Sequence, residues 1–196
     1  MEISGTENGQ RWESLVGRHF DFLPEFGFLF DHAEEKWWAT TAVYRSDQLG
    51  LEVTRSVEFG RVELTLLRLV DGELPEVQVW VSDAPLDRVL FDNVLEARKP
   101  QVLNDLGRGL SDEGVEQQLA LYVELLREVV PDFLEGSDAA LVEGEVVIRE
   151  RVKASPQQLT VWLPSDASEA DEADARAEAE RTSPPDVRIF IRRYSR

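Results

Sequence analysis

The sequence predicts an α+β fold: an N-terminal helix, an antiparallel meander of four to five strands, two helices on one face, and a C-terminal extension with further strands. Three observations predict it. Apolar residues recur at helical spacing up to Leu23 and at every second position after Gly27. Short runs rich in β-branched and aromatic residues then follow at roughly ten-residue spacing, with turn residues between them. From Ala84 the spacing becomes helical again.

The first helix runs from Gln10 to about Leu23. Trp12, Leu15, Val16, His19 and Phe22 or Leu23 form one apolar stripe. Pro24 stops it, because proline lacks the N–H that would continue the helix. Gly27 can take the left-handed conformation that a turn there needs. The stretch from His19 to Phe30 holds Phe20, Phe22, Phe26, Phe28 and Phe30. Alternation over Phe26, Phe28 and Phe30 predicts three rings on one face of a strand, so this stretch reads as the hinge where helix becomes sheet.

Asp31-His32-Ala33-Glu34-Glu35 reads as a polar turn, and Trp37 to Arg45 as the next strand. Ser46 to Gly50 is a turn. Leu51 to Glu58 and Val62 to Val70 are strands separated by Phe59-Gly60-Arg61. Asp71-Gly72 is a turn pair, and a strand from Val77 to Val81 follows Pro75. A helix is predicted from Ala84-Pro85 to about Ala97, with Leu86, Val89, Leu90 and Val94 as its stripe. Residues 100–111 connect to a stronger helix ending near Phe133, carrying Val115, Leu119, Tyr122, Leu125 or Leu126, and Val129. Ser111 followed by Gly114 misses the reciprocal capping pattern, while Asp112 still places an acid at the helix start.

The main domain is read as residues 1–136 and the extension as 137–196. Ala139 to Ala154 fits a helix weakened by Gly144, although Val146-Val147-Ile148 also fits a strand. Gln158 to Leu163 and Val187 to Tyr194 alternate as strands, which either join the main sheet or form a unit of their own. Between them, residues 165–183 form an acidic insert whose apolar residues are alanines. With no face to bury, it is expected to be flexible or a frayed helix. The acids there are followed by Arg188, Arg192, Arg193 and Arg196, an order that favours electrostatic folding-back.

Composition bounds the function. The 196 residues carry a net charge of −18, which repels nucleic-acid backbones and anionic membranes and favours basic partners. There is no cysteine, so thiol catalysis, disulfides and Cys-based metal sites are excluded. No stretch approaches the roughly 18 apolar residues of a membrane span. The start Met1 to Thr6 has no signal-peptide character. The expected location is the cytoplasm. Only Lys36, Lys99 and Lys153 are lysines, as a GC-rich bacterial genome would encode.

No catalytic motif is present. There is no Gly-x-Ser-x-Gly elbow, and Leu106-Gly107-Arg108-Gly109-Leu110 lacks the lysine of a phosphate loop. His19 and His32 are the only histidines and lack the i, i+4 spacing of a helical metal pair. No cofactor is expected. What stands out is a surface: the adjacent Trp37 and Trp38 beside Asp31, Glu34 and Glu35. Adjacent strand residues point to opposite faces, so one tryptophan enters the core and the other lies on the sheet's second face, either covered by a later helix or exposed as an aromatic anchor ringed by acids.

Phe20, Phe22, Leu23, Phe26, Gly27 and Phe28 form a distinctive spacing when taken together with three later segments. These are Val43-Tyr44-Arg45, then Leu51-Glu52-Val53, then Leu125-Leu126 with Pro131-Asp132-Phe133-Leu134 and Gly136. Over roughly residues 10–136 this pattern resembles small uncharacterised bacterial α+β proteins, some of them similar to immunity-type, toxin-neighbouring proteins. The resemblance implies an α+β domain and carries no catalytic residues. The resulting expectation is a non-enzymatic, acidic protein-interaction domain with a basic protein partner and an inhibitor or immunity-type role. The alternatives are an accessory or structural subunit of a larger bacterial assembly, and a carboxylate- or metal-dependent enzyme using His32 and Glu35.

Overall fold

The structure, a computed structural model, describes residues 7–37, 39–56, 61–75, 85–104, 111–154, 158–164, 168–182 and 188–194. The chain forms two compact units, Met1–Ile148 and Arg149–Arg196. The first begins with α1 (Glu7–His19), followed by a 3-10 turn over Leu23–Phe26. Five strands follow: β1 (Leu29–Lys36), β2 (Ala39–Arg45), β3 (Leu49–Ser56), β4 (Arg61–Arg68) and β5 (Arg88–Leu90). They form one antiparallel sheet in the order β1-β2-β3-β4-β5, the meander predicted from the turn spacing. Helices α2 (Phe91–Arg98), α3 (Asp112–Val129), α4 (Pro131–Leu134) and α5 (Ala139–Ala154) complete the order, with α5 running on into the second unit.

Strand register builds the core. Tyr44 lies opposite Leu51, Leu51 opposite Leu66, and Leu66 opposite Val89. A parallel row runs through Ala42, Val53 and Leu64. Side chains directly opposite share a face, so these rows make one apolar surface, and all are buried. Helix α1 covers it with Trp12 and Val16, and the Trp12 Nε1–H donates to the Val53 carbonyl at 3.2 Å. Helix α3 adds Val115, Leu119, Leu125, Leu126 and Val129. Its start is capped by Ser111, whose Oγ accepts from the Gly114 N–H at 3.1 Å. The single hydroxyl cap needs no partner glutamate, so the missing capping box costs the helix little.

Several expectations change at the hinge. Gly27 adopts φ +80°, as a left-handed turn requires. Phe26, however, lies in the 3-10 turn rather than in a strand, and the three rings do not share a face. Phe28 is fully buried against Phe133, with ring centroids 5.5 Å apart, while Phe26 and Phe30 are 37% and 40% exposed. The polar stretch Asp31 to Glu35, expected as a turn, is the middle of β1. Its pairing with β2 outweighs its weak strand propensity. Asp71 and Gly72 both take positive φ, 54° and 79°, as the turn pair needs. The strand expected at Val77 to Val81 lies outside the described residues.

The helix expected from Ala84 begins only at Phe91. Arg88, Val89 and Leu90 pair instead with Leu67, Leu66 and Thr65. A buried valine opposite a buried leucine overrides the local helical spacing. Helix α5 resolves the ambiguity at Ala139 to Ala154, and its awkward Gly144 has a packing role. A Cβ there would meet Val89 Cγ1 at 2.6 Å and Val94 Cγ2 at 2.9 Å.

Arg98, at the end of α2, ties the helices together. It donates to Asp132 at 2.6 and 2.8 Å, to Glu143 at 2.8 and 3.0 Å, and to the Val129 carbonyl at 2.9 Å. The guanidinium fork matches this geometry as a lysine could not. Arg68 links Asp87, Asp138 and the Leu86 carbonyl in the same way.

The second unit contains β6 (Gln158–Pro164), α6 (Glu169–Thr182) and β7 (Arg188–Tyr194). The strands pair in parallel with each other, from Gln158 opposite Arg188 to Pro164 opposite Tyr194, and form a sheet of their own. Parallel neighbours need a crossover of about a dozen residues or more. The acidic insert supplies it, and residues 169–182 of the insert are helical. Ala179 is buried, giving this alanine-rich helix the small face that the sequence had seemed to lack.

Two glycines in helices should respond oppositely to substitution. Gly17 has nothing within 4 Å of a Cβ, so Gly17→Ala should raise stability by up to about 1 kcal/mol in denaturant unfolding. Gly144→Leu should lower it by about 1–3 kcal/mol or more through overpacking. Equal effects would contradict the packing described. For Arg98, its hydrogen bonds hold the Asp132 and Glu143 carboxyls below their usual range. Depressed carboxylates contribute stability above their unfolded pKa and lose it as pH falls through the folded one. Arg98→Ala should therefore cost about 1–3 kcal/mol at neutral pH, and its penalty should shrink in acid below about pH 4.

Candidate binding surface along strand β1 and helix α1

A meander of five strands has two edges, and this protein treats them differently. On the β4–β5 side, β5 pairs with Thr65 to Leu67, and the start of β4 has no strand partner on that side among the described residues. Helix α3 closes this gap. The Gln118 Oε1 accepts from the buried Val62 N–H at 2.9 Å, and the Tyr122 hydroxyl donates to the Val62 carbonyl at 3.3 Å. Asp92 lies 3.4 Å from that hydroxyl. Burial first, then the Asp92 charge, raises the Tyr122 pKa. Burial likewise raises Asp92, with Arg61 opposing. The cluster completes the backbone bonding of an edge whose unpaired groups would otherwise be costly.

The other edge is β1. Among the described residues it pairs with β2 alone, and none of its eight residues is buried. Leu29 is 63% exposed, and Trp37, just past the strand, is 90% exposed. Of the residues singled out in the sequence, Asp31, Glu34, Glu35 and Trp37 fall here or beside it, but they do not form one cluster. Glu34 lies opposite Thr41 and Glu35 opposite Thr40, so the two carboxylates sit on opposite faces. His32 lies opposite Val43, on the face away from Glu35, so the pairing proposed for a metal-dependent enzyme is not assembled. Among the described residues no group of three or more histidine, aspartate or glutamate side chains is placed to hold a metal ion. No helix among them is long and apolar enough to cross a membrane.

Asp31 sits at an irregularity in the β1–β2 register between Phe30 and His32. Its carboxylate bonds Arg45 at 2.8 Å and His32 Nδ1 at 2.6 Å. Glu34 pairs with Lys36 at 3.0 Å. Trp37 belongs to the turn before β2 rather than to the strand. Trp38 lies outside the described residues.

Sequence reasoning missed a cleft of about 560 Å³ between α1 and the β1–β2 edge. Gln10, Glu13, Ser14 and Gly17 line one wall. Their spacing of three and four residues places them on one helix face, beside the stripe that enters the core. Phe20, Phe30 and Tyr44 supply aromatic surface, and Asp21 and Pro24 complete the lining. Phe30 stands edge-on to Tyr44 with centroids 5.6 Å apart.

Tyr44 is the unusual member. It is only 4% exposed, yet its hydroxyl makes no hydrogen bond among the described residues. That hydroxyl is not sealed from solvent, so it opens on the cleft. Burial, and then the negative charge of Glu13, push its pKa up to about 12. Glu13 and Asp21 make no ion pair among the described residues. By contrast the arginines of the same helix are committed: Arg11 to Asp112 at 2.9 Å and Arg18 to Glu116 at 3.8 Å. The sequence signal for this site was the run of small and polar residues at helical spacing from Gln10 to Gly17. No protein-family model, curated protein or solved structure matches the chain.

The unpartnered hydroxyl has a measurable consequence. The folded chain keeps the Tyr44 proton above pH 10, where an unfolded tyrosine releases it. Stability present below about pH 10 is therefore lost as pH rises toward about 12. Tyr44→Phe should keep stability within about 0.5 kcal/mol of the parent at neutral pH and lose less of it between pH 10 and 12. Alkaline denaturation curves check this; a variant that loses as much as the parent between pH 10 and 12 would contradict the raised Tyr44 pKa, and one destabilised by more than about 1 kcal/mol at neutral pH would place the hydroxyl in a bond.

Proposed function

We propose that this chain is a non-enzymatic, acidic protein-interaction domain that receives a basic segment of a partner protein along β1, in the manner of an inhibitor or immunity-type protein. The observation that carries the reading is the β1 edge itself. An open strand edge offers unpaired N–H and C=O groups to any other strand, and proteins protect such edges with charges and bulges. Here the charges are Asp31, Glu34 and Glu35 against Lys36, with the register irregularity at Asp31. On a chain of net charge −18 this edge repels a second copy of itself. It admits a strand that carries positive charge.

Leu29 and Trp37, at opposite ends of β1, supply apolar anchor points. Exposed tryptophan is the residue type most often found at the energetic centre of interfaces. Long-range attraction to a basic partner speeds encounter and is screened by salt within about 10 Å at 0.1 M. Main-chain pairing along the edge then gives affinity, as in other strand-addition complexes.

An eight-residue peptide alternating valine and arginine tests the reading by calorimetry. Binding should weaken at least about tenfold between low and high salt, as screening of several charge pairs requires. The double substitution Glu34→Lys with Glu35→Lys should abolish it, and Trp37→Ala should weaken it while leaving thermal stability within about 0.5 kcal/mol. Binding that is insensitive to salt, or unchanged in both variants, overturns the reading.

A further inference from the structure

We infer that the cleft between α1 and the β1–β2 edge is a pocket for a guanidinium group, filled by an arginine side chain of the partner that lies along β1. The inference rests on the proposed function for its partner, but the pocket itself rests on separate geometry. Glu13 and Asp21 bring two carboxylates without ion pairs to the cleft. Acids alone would mark only a solvated rim. The second observation is the Tyr44 hydroxyl, on a side chain only 4% exposed, unpartnered and open to the same cavity.

These groups ask for one kind of ligand. Carboxylates accept hydrogen bonds and a phenol oxygen can accept one more. Phe30 presents ring surface at the rim, 40% exposed, and the face of a ring attracts a cation. A guanidinium offers five donors in a plane and stacks on aromatic rings. An ammonium offers a compact charge that cannot bridge spread acceptors while lying flat on a ring. Gly17 leaves the wall open, since a Cβ there meets nothing within 4 Å. Phe30 belongs to both the cleft and β1, so a strand paired along that edge delivers a side chain directly into the cavity.

The test uses the full chain and small probes, so it does not depend on peptide pairing. Amide and aromatic NMR shifts are followed while Nα-acetyl-arginine amide is added, with the lysine and citrulline analogues alongside. Citrulline keeps the shape of arginine and removes the charge. The arginine probe should give saturable shifts at Gln10, Glu13, Gly17 and Tyr44, with a dissociation constant of about 1–10 mM. The lysine probe should bind more weakly and the citrulline probe not at all.

Glu13→Gln should weaken the arginine probe about tenfold, the scale of one hydrogen bond to a charged group. Gly17→Phe, which fills the cleft from an open position, should abolish binding. Tyr44→Phe should weaken it without loss of fold. No saturable shifts, equal binding of arginine and citrulline, lysine binding as tight as arginine, or shifts confined to other residues each overturn the pocket. If the arginine probe fails while the valine–arginine peptide still binds with salt dependence, the pocket falls and the edge reading stands. If the probe binds in the cleft and no basic peptide engages β1, the pocket stands and the edge reading falls.

Discussion

The requirement that backbone N–H and C=O groups find partners governs this architecture more than any single side-chain contact. A meander satisfies its interior strands and leaves two rows of unpaired groups at its ends. Beside the start of β4, which the short β5 does not reach, the protein invests a helix face, with Gln118 and Tyr122 both bonded to Val62. At the β1 end there is no equivalent among the described residues. The start of β4 is closed from within by packed polar side chains. Along β1 the described residues offer charge instead, and charge discriminates by sign where a packed helix would exclude every strand.

The distribution of arginine sharpens that discrimination. Arg45, Arg68, Arg88 and Arg98 are held by Asp31, by Asp87 and Asp138, by Glu52, and by Asp132 with Glu143. Their positive charge is spent within the fold: Arg45 and Arg88 join strand to strand, Arg98 joins helix to helix, and Arg68 ties β4 to the segments before β5 and α5. Partly buried pairs of this kind are poor evidence of added stability, yet breaking one partner leaves the others uncompensated. The acids left over, including Glu13 and Asp21, face outward without such neighbours. The surplus that composition reports as −18 thus has a local meaning at the α1 cleft.

Much of the fold was legible because it derives from period and punctuation. The meander showed in alternating runs broken by Asp71-Gly72 and by the turn before Leu49, and α3 showed in its stripe from Val115 to Val129. What failed to show depended on contacts distant in sequence. Arg88 to Leu90 reads as helix until Leu66 is known to lie opposite Val89. Gly144 reads as a helix defect until Val89 and Val94 are placed against it. The acidic insert reads as disorder until its flanking strands prove parallel and require a crossover. Asp31, Glu34, Glu35 and Trp37 are exposed, but alternation along β1 set Glu34 and Glu35 on opposite faces. The cleft escaped notice because its walls come from elements well separated in sequence, and its acids look like any others in so acidic a chain.

The cleft also explains two features that do not help the fold when considered alone. A glycine within a helix costs about 1 kcal/mol relative to alanine, and Gly17 recovers none of this through close packing, unlike Gly144. A hydroxyl that is open to solvent and makes no bond adds nothing to the fold, and Tyr44, whose hydroxyl has no partner among the described residues, could have been phenylalanine, as the stacked Phe20 is. Folding alone would favour alanine at the first position and accept phenylalanine at the second. Both departures line the same cavity, and both serve a bound group: the glycine provides space and the hydroxyl provides a polar contact. A helical glycine and an unbonded hydroxyl, neither of which helps the fold, converge on one cleft and are better accounted for by what enters it than by the stability of the chain that forms it.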